Sequence, residues 1–490
     1  MTVRLIIKDE VNIKFENLPL DARKRLAAEF KYELPYARHQ PAYKLGRWDG
    51  MVSLFGLGGN GYLSQLERIL TILDEMHIMV EDVQDLRKPV KLSFEKVTES
   101  YWADQGILWP KNHPKAGEPI MLRDYQVDAI NRFIDNPQSL QEIATGAGKT
   151  ITTATLSHLA EPYGRTIIIV PNKDLVVQTE CDFINCRLDV GVYYGDRKEL
   201  NKTHTICTWQ SLNVLDKSSK EYSAKNSLTL EEFLHNVNCV IVDEVHMAKA
   251  DVLKSLLTQQ LSDSPIRWGL TGTIPKQSCD FERIYASIGQ VVGGITAHQL
   301  QEIGVLSQCH VQVMQLFDPQ SFRNYHEEND FLVTNAERMT YITSLINDIA
   351  KTGNTLVLVN RIDTGKFITD KIENSVFISG TVKSTKRKET YDEVAIKDGC
   401  IIVATYGVAA VGINIPRIFN LILIESGKSF TRVIQSIGRG IRKAEDKDFV
   451  QIYDVTSTCK YAKRHLTERK RFYKDAKYPF TVKKIDWRNE

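Results

Sequence analysis

Between about residue 119 and residue 455, short unbroken apolar runs rich in β-branched residues alternate with longer stretches of helical period. The runs are Thr166–Val170, Cys239–Val242, Thr355–Val359, Ile401–Ala404 and Leu421–Ile424. Runs apolar on both faces predict parallel strands covered by helices on either side, and their alternation with helices predicts βαβ units. One series ends before about 300 and a second starts after about 308, which predicts two doubly wound parallel-sheet lobes of α/β class. The first 118 residues have a different texture. Val3–Ile7 and Val11–Phe15 alternate and predict short strands, whereas Ala22, Leu26 and Phe30, following Pro19 and a capping Asp21, predict a helix. A glycine-rich turn, Gly56–Gly61, precedes a second helical pattern through Leu66, Ile69 and Leu73. A small α+β domain over 1–118 is expected, closed by a linker marked by Pro110, Pro114, Gly117 and Pro119. The lobes are then expected over 119–306 and 307–458, with 459–490 as a basic tail. Asp216–Asn226 reads as an exposed insertion and Phe317–Asn335 as a loop region.

Composition narrows the class. With 490 residues, 42% of them hydrophobic, and 63 Lys+Arg against 61 Asp+Glu, the chain is globular rather than collagen-like or disordered, and exceeds what one core serves. Its eight cysteines contain no C-x-x-C pair, which argues against a disulfide framework or a zinc site and for a reducing compartment. Charge arrives too early at the amino terminus for a secretory segment, and no apolar run approaches the roughly 18 residues of a spanning helix. A cytoplasmic protein is expected. The net charge of +2 is unevenly spread: residues 459–490 hold eleven Lys/Arg against four Asp/Glu. A second basic cluster, Arg23 to Arg47, has aromatics interleaved. Together they suggest a polyanion partner, with the tail expected to touch phosphates.

Ile143-Ala-Thr145-Gly146-Ala147-Gly148-Lys149-Thr150 places glycines, a lysine and a hydroxyl just ahead of a helical stretch, so backbone N–H groups can converge on phosphates. Lys149 would reach the β and γ phosphates and Thr150 would bind magnesium. The strict phosphate-loop pattern departs at its first position, where Ile143 stands. Val240–His246 sets Asp243 and Glu244 at the end of an apolar run, where Asp243 can hold magnesium through water and Glu244 can polarise the attacking water. Arg439 and Arg442, three residues apart, fall on one face of a helical turn and could meet a γ phosphate.

Eight segments in order resemble the motifs of superfamily 2 helicases of the DExH type. They are Arg123–Gln126, Ala144–Thr150, Val170–Lys173, Thr208–Ser211, Asp243–His246, Thr271–Thr273, Thr405–Asn414 and Gln435–Arg442. The resemblance implies two RecA-like lobes with ATP between them, and His246 and Gln435 as members of the catalytic set. It implies that Gln126, helped by Arg123, reads adenine, and that Pro171, Asn172, Lys173, Thr208 and Gln210 touch the tracking strand. It makes Thr271 and Thr273 coupling residues and gives Thr405 and Gly412 to nucleic acid and nucleotide. A further segment, Arg38–Gly50, is similar to phage UvsW-type helicases, which drive branch migration and fork regression. That likeness implies duplex contacts from Arg38, Lys44, Arg47 and Trp48. The expectation is an ATP- and Mg2+-dependent DNA helicase acting on branched or forked duplex with a single-stranded tracking strand, with recombination or replication proteins as candidate partners. An RNA helicase and a non-hydrolysing architectural DNA binder are the alternatives.

Overall fold

A computed structural model describes residues 2–34, 36–111, 113, 115–221, 228–249, 251–275, 278–380, 382, 389–391, 393–394, 396–412 and 415–489. The chain folds as two compact units, one of residues 1–143 and 148–294 and the other of 144–147 and 295–490.

In the first unit an eight-stranded sheet runs Arg197–Lys198, Val190–Tyr194, His204–Thr208, Arg165–Val170, Val237–Asp243, Ile266–Thr271, Gln138–Ile143, Gln290–Ile295. The six strands from Val190–Tyr194 through Gln138–Ile143 are mutually parallel. Their residues are buried on both faces, as the unbroken apolar runs require: Ile167, Ile169, Val240 and Val242 share one core with Leu253 and Leu257. Parallel strands joined by helices leave every strand's carboxyl end on one edge of the sheet, which is where functional loops collect.

The amino-terminal residues form a four-stranded sheet in the order Asn60–Tyr62, Asn12–Glu16, Val3–Ile7, Val80–Asp85, backed by helices Leu20–Glu29 and Leu66–Glu75. Leu5, Phe15, Leu26, Phe30, Phe55 and Ile69 fill its core, the residues the alternating pattern points inward. This layer is fastened to the larger sheet's unit by specific bonds. Glu10 N–H donates to Ser262 O at 3.0 Å, Asn12 Nδ2 to Thr258 O at 2.8 Å, and Gln138 Nε2 to Glu10 Oε2 at 2.7 Å.

In the second unit seven parallel strands run Ser375–Ile378, Ile401–Thr405, Thr355–Val359, Asn420–Ile424, Phe449–Ser457, Gln308–Leu316, Phe480–Ile485. Both sheets are doubly wound and RecA-like.

Three expectations change. Residues 459–490 are no loose tail: Lys460–Asp475 is a helix and Phe480–Ile485 the edge strand beside Gln308–Leu316. Arg469, counted as a phosphate-seeking cation, is buried and donates from Nε to Asp454 Oδ2 at 2.8 Å, while Tyr473 and Trp487 are buried too. Exposed cations line the other face of that helix, including Lys463, Arg464 and Lys474. Within Phe317–Asn335 the structure holds a helix, Tyr325–Thr334, whose N-cap Asn324 accepts from Glu327 N–H at 3.0 Å. Asp216–Glu221 continues the helix Trp209–Glu221 instead of starting an insertion, and 222–226 lie outside the described residues.

Candidate functional site

Strand Gln138–Ile143 delivers the phosphate loop, and Ile143 is simply its last residue, so the departure from the strict pattern falls before the loop. The loop ends at Gly148, the N-cap of helix Lys149–Ala160, with φ 81°. A Cβ there would sit 2.5 Å from Gln126 Nε2, so only glycine gives this turn next to the glutamine. Gln126 is itself buried and fixed, accepting through Oε1 from Arg123 N–H at 3.0 Å, while Arg123 Nη1 donates to the Tyr125 hydroxyl at 2.7 Å.

Strand Val237–Asp243 brings two carboxylates to the same edge. Glu244 takes a left-handed φ of 53°, and this turn of the backbone past the strand end lets adjacent acids address one lysine. Lys149 Nζ donates to Glu244 Oε1 at 2.8 Å and lies 3.6 Å from Asp243 Oδ1. Burial opposes the Glu244 charge, yet Lys149 and His246 hold its carboxyl well below the usual range. Asp243 goes the other way: burial raises it, and the Glu244 charge adds to the rise, against the pull of Lys149. His246 Nδ1 lies 2.9 Å from Thr271 Oγ1 and 3.3 Å from Glu244 Oε2. Thr271 spends its single hydroxyl proton on Thr273 O at 2.9 Å, so His246 must donate to it through Nδ1–H. A line of close contacts therefore runs from Lys149 through Glu244 and His246 to Thr271 and Thr273, its Glu244–His246 step a 3.3 Å approach to the same Nδ1.

The donor set fits magnesium, since Asp243 and Thr150 offer hard oxygens. Thr150 differs from expectation in one respect, because its hydroxyl hydrogen-bonds the Asp182 carboxyl, which burial has pushed up to about 6. Sequence reasoning missed Asp182, which carries no motif signal. It sits mid-helix in Lys173–Asn185.

A groove of about 480 Å³ gathers Pro171, Asn172, Lys173, Thr208 and Gln210, and adds Tyr193, Tyr194, Gly195 and Lys198 from the adjoining hairpin. Lys173, Gln210 and Lys198 are exposed there. Asn172 and Thr208 are committed internally. Asn172 Oδ1 caps its helix by accepting from Asp174 and Leu175 N–H at 3.0 and 3.1 Å, and the Thr208 hydroxyl lies 2.9 Å from Ser211 Oγ. In the amino-terminal layer Arg38, Lys44 and Arg47 are exposed. Trp48 packs with Leu34, Ala37 and Cys279 and donates from Nε1 to Met51 O at 2.8 Å, an anchor for the basic loop. Gly50 closes that loop at φ 78°, where a Cβ would meet Ala37 Cβ at 2.9 Å.

In the second unit Thr405 ends its strand and helix Tyr406–Gly412 follows. The side chains of 410–412 and Gln435, and all of Asn414, lie outside the described residues. Arg439 is buried near the end of helix Phe430–Gly440, and Arg442 lies two residues past it. Burial and the charge of Arg439 pull the Arg442 guanidinium down to about 9. All eight cysteines are free, and among the described residues no helix is long and apolar enough to cross a membrane.

Residues 119–276 match the type III restriction enzyme res subunit family, and residues 337–444 match the helicase conserved C-terminal domain. The chain is 23% identical to the ATP-dependent DNA helicase uvsW of Enterobacteria phage T4, over 93% of its own length and 94% of that protein. It is 22% identical to the DNA 3'-5' helicase XPB of Kineococcus radiotolerans, over 74% of its length and 65% of that protein. The structure of S. cerevisiae Dbp5 bound to RNA and ADP BeF3 shares the fold, with a TM-score of 0.53 and 13% identity over 75% of this chain and 90% of that one. Ordered motifs, parallel lobes and similarity along most of the chain converge: the protein is an ATP-dependent helicase, similar to superfamily 2 helicases of the DExH type and to the phage UvsW-type enzymes among them.

Proposed function

We propose that this helicase acts on DNA and remodels branched duplexes, moving junctions and regressing forks. The observation that carries the reading is the similarity to a phage DNA helicase over 93% of this chain and 94% of that protein, and the line of contacts from Lys149 to Thr273 supports its ATP-driven part. In this reading Lys149 releases Glu244 when phosphates arrive. Glu244, kept ionised, then accepts a proton from the water that attacks the γ phosphorus, and the γ phosphoryl leaves ADP. Asp243 and Thr150 would hold Mg2+, which supplies charge neutralisation on the phosphate oxygens. Arg439 and Arg442 would neutralise charge developing in the transition state, a contribution of roughly 10³ to 10⁵ in rate. Hydrolysis alters the partner of Glu244, and His246 passes that change to Thr271.

The domain limits 1–118, 119–306 and 307–490, the last now including the former tail 459–490, serve the same reading, with Arg38, Lys44 and Arg47 set on duplex and the groove of Lys173, Gln210 and Lys198 on the tracking strand. The names of the phage and bacterial relatives support DNA as the substrate. ATPase and unwinding measured side by side on forked DNA, four-way junctions, plain duplex and RNA duplex test it. Branched DNA should stimulate most. Equal or greater stimulation by the RNA duplex would assign RNA instead, and indifference to branching would remove the remodelling role.

A further inference from the structure

Lys447 belongs to none of the motifs, yet its side chain is 2% exposed. Burying an ammonium is costly unless every proton is bonded. Here each is: Nζ donates to Pro416 O at 2.6 Å, to Ile418 O at 2.9 Å and to Gly440 O at 2.9 Å. Three carbonyls match the three donors of an ammonium, and a neutral amine could serve only two. Gly440 closes the helix that carries Arg439, and its carbonyl is among those a helix end leaves without an intrahelical partner. A cation at that end also meets the negative pole of the helix. Pro416 and Ile418 lie just after the Thr405–Asn414 motif.

The same connection is gripped from outside. Arg417, between the two residues whose carbonyls accept from Lys447, donates to Asp446 at 2.8 Å and to Asp398 at 2.6 Å, and Asp446 is the residue before Lys447. Ser307 N–H donates to Ile441 O at 2.8 Å and its hydroxyl to Lys447 O at 3.2 Å, so the strand-like stretch holding Arg442 is fixed against Leu306 and Ser307. Burial draws the Lys447 amine down to about 7, against Asp446 and with Arg442, and the three carbonyl acceptors are what favour the ammonium.

We infer that Lys447 is a positioning residue for hydrolysis, whose ammonium locks the end of the Arg439 helix to the 416–418 connection and thereby sets where the guanidiniums of Arg439 and Arg442 stand. This rests on the proposed role of those two arginines, and the test separates the two.

In the full-length protein, Lys447→Met, Arg442→Ala and the double variant are compared in nucleic-acid-stimulated ATPase, with kcat and KM for ATP resolved and single-turnover rates for the slow variants. Lys447→Met should lower kcat by about tenfold or more with KM within about twofold, the signature of a group that acts in the transition state. Added to Arg442→Ala it should do almost nothing further, since residues working as one unit are not additive. If Arg442→Ala turns over normally, the arginine role itself is wrong. If Arg442→Ala is inactive but Lys447→Met keeps its kcat, or the two effects multiply, Lys447 is only structural and the inference fails. Should Lys447→Met not fold, the exposed Asp446→Asn opens the outer grip. A severalfold drop in kcat there supports the inference, and an unchanged kcat overturns it.

Discussion

The two units manage buried charge in opposite ways. In the first, Lys149 is met within 3.6 Å by two carboxylates and Glu244 is held ionised, so the site is neutralised from within. In the second, Arg439, Arg442 and Lys447 crowd together, and burial with like charge pulls Arg442 and Lys447 down. Lys149 is held by carboxylates that it can exchange for an incoming anion, whereas Lys447 is held by three backbone carbonyls that carry no net charge. The contrast suggests binding led by one unit and rate enhancement supplied by the other.

Substitutions can break that contrast. Lys149→Ala should reduce both nucleotide affinity and turnover, the latter by about 10³-fold or more, measured by equilibrium ATP binding and phosphate release. Arg442→Ala should cost about 10³ in kcat and leave ATP affinity within about twofold, so a large loss of affinity would erase the division of labour. Trp487→Ala, which empties a buried site whose indole donates to Asp318 at 3.1 Å, should destabilise the second unit by about 3–5 kcal/mol in denaturant unfolding and leave the first unit's transition in place. Lys198→Ala should weaken single-strand binding and make the log-log salt slope shallower by about 0.7, since one phosphate contact is removed.

The smallest effect concerns Asp182, whose folded value of about 6 lies above the usual 3.8. The raised value makes its charge a liability in the folded state, absent below about 3.8 and fully present above about 6. Asp182→Asn, which can still accept from Thr150, should therefore stabilise the first unit by about 1–2 kcal/mol at pH 7 and by almost nothing at pH 4. Equal effects at both values would separate Asp182 from Thr150.

Strands were legible because both faces of a parallel sheet are apolar, so each buried run announces itself. The residues proposed to face nucleotide were readable as candidates because glycine turns and paired acids occur at fixed offsets. What stayed hidden depends on partners that composition does not reveal. Arg469 counts as one more cation until Asp454 meets it, and Lys447 binds backbone carbonyls that any sequence would offer. The helix Tyr325–Thr334 was signalled by Asn324 with Glu327 three places on, but its polar first turn read as loop. Trp48, expected on duplex, packs against Leu34, Ala37 and Cys279, a contact that its basic sequence surroundings do not reveal.

The edge strand Phe480–Ile485 lies beside Gln308–Leu316, some 170 positions earlier in the chain. A ribosome working through this message must therefore hold an incomplete second sheet for most of its synthesis, with the flank of Gln308–Leu316 open to any stray strand. Newly made copies would be most exposed to aggregation in that interval, and a chaperone that covers one sheet margin would help them most.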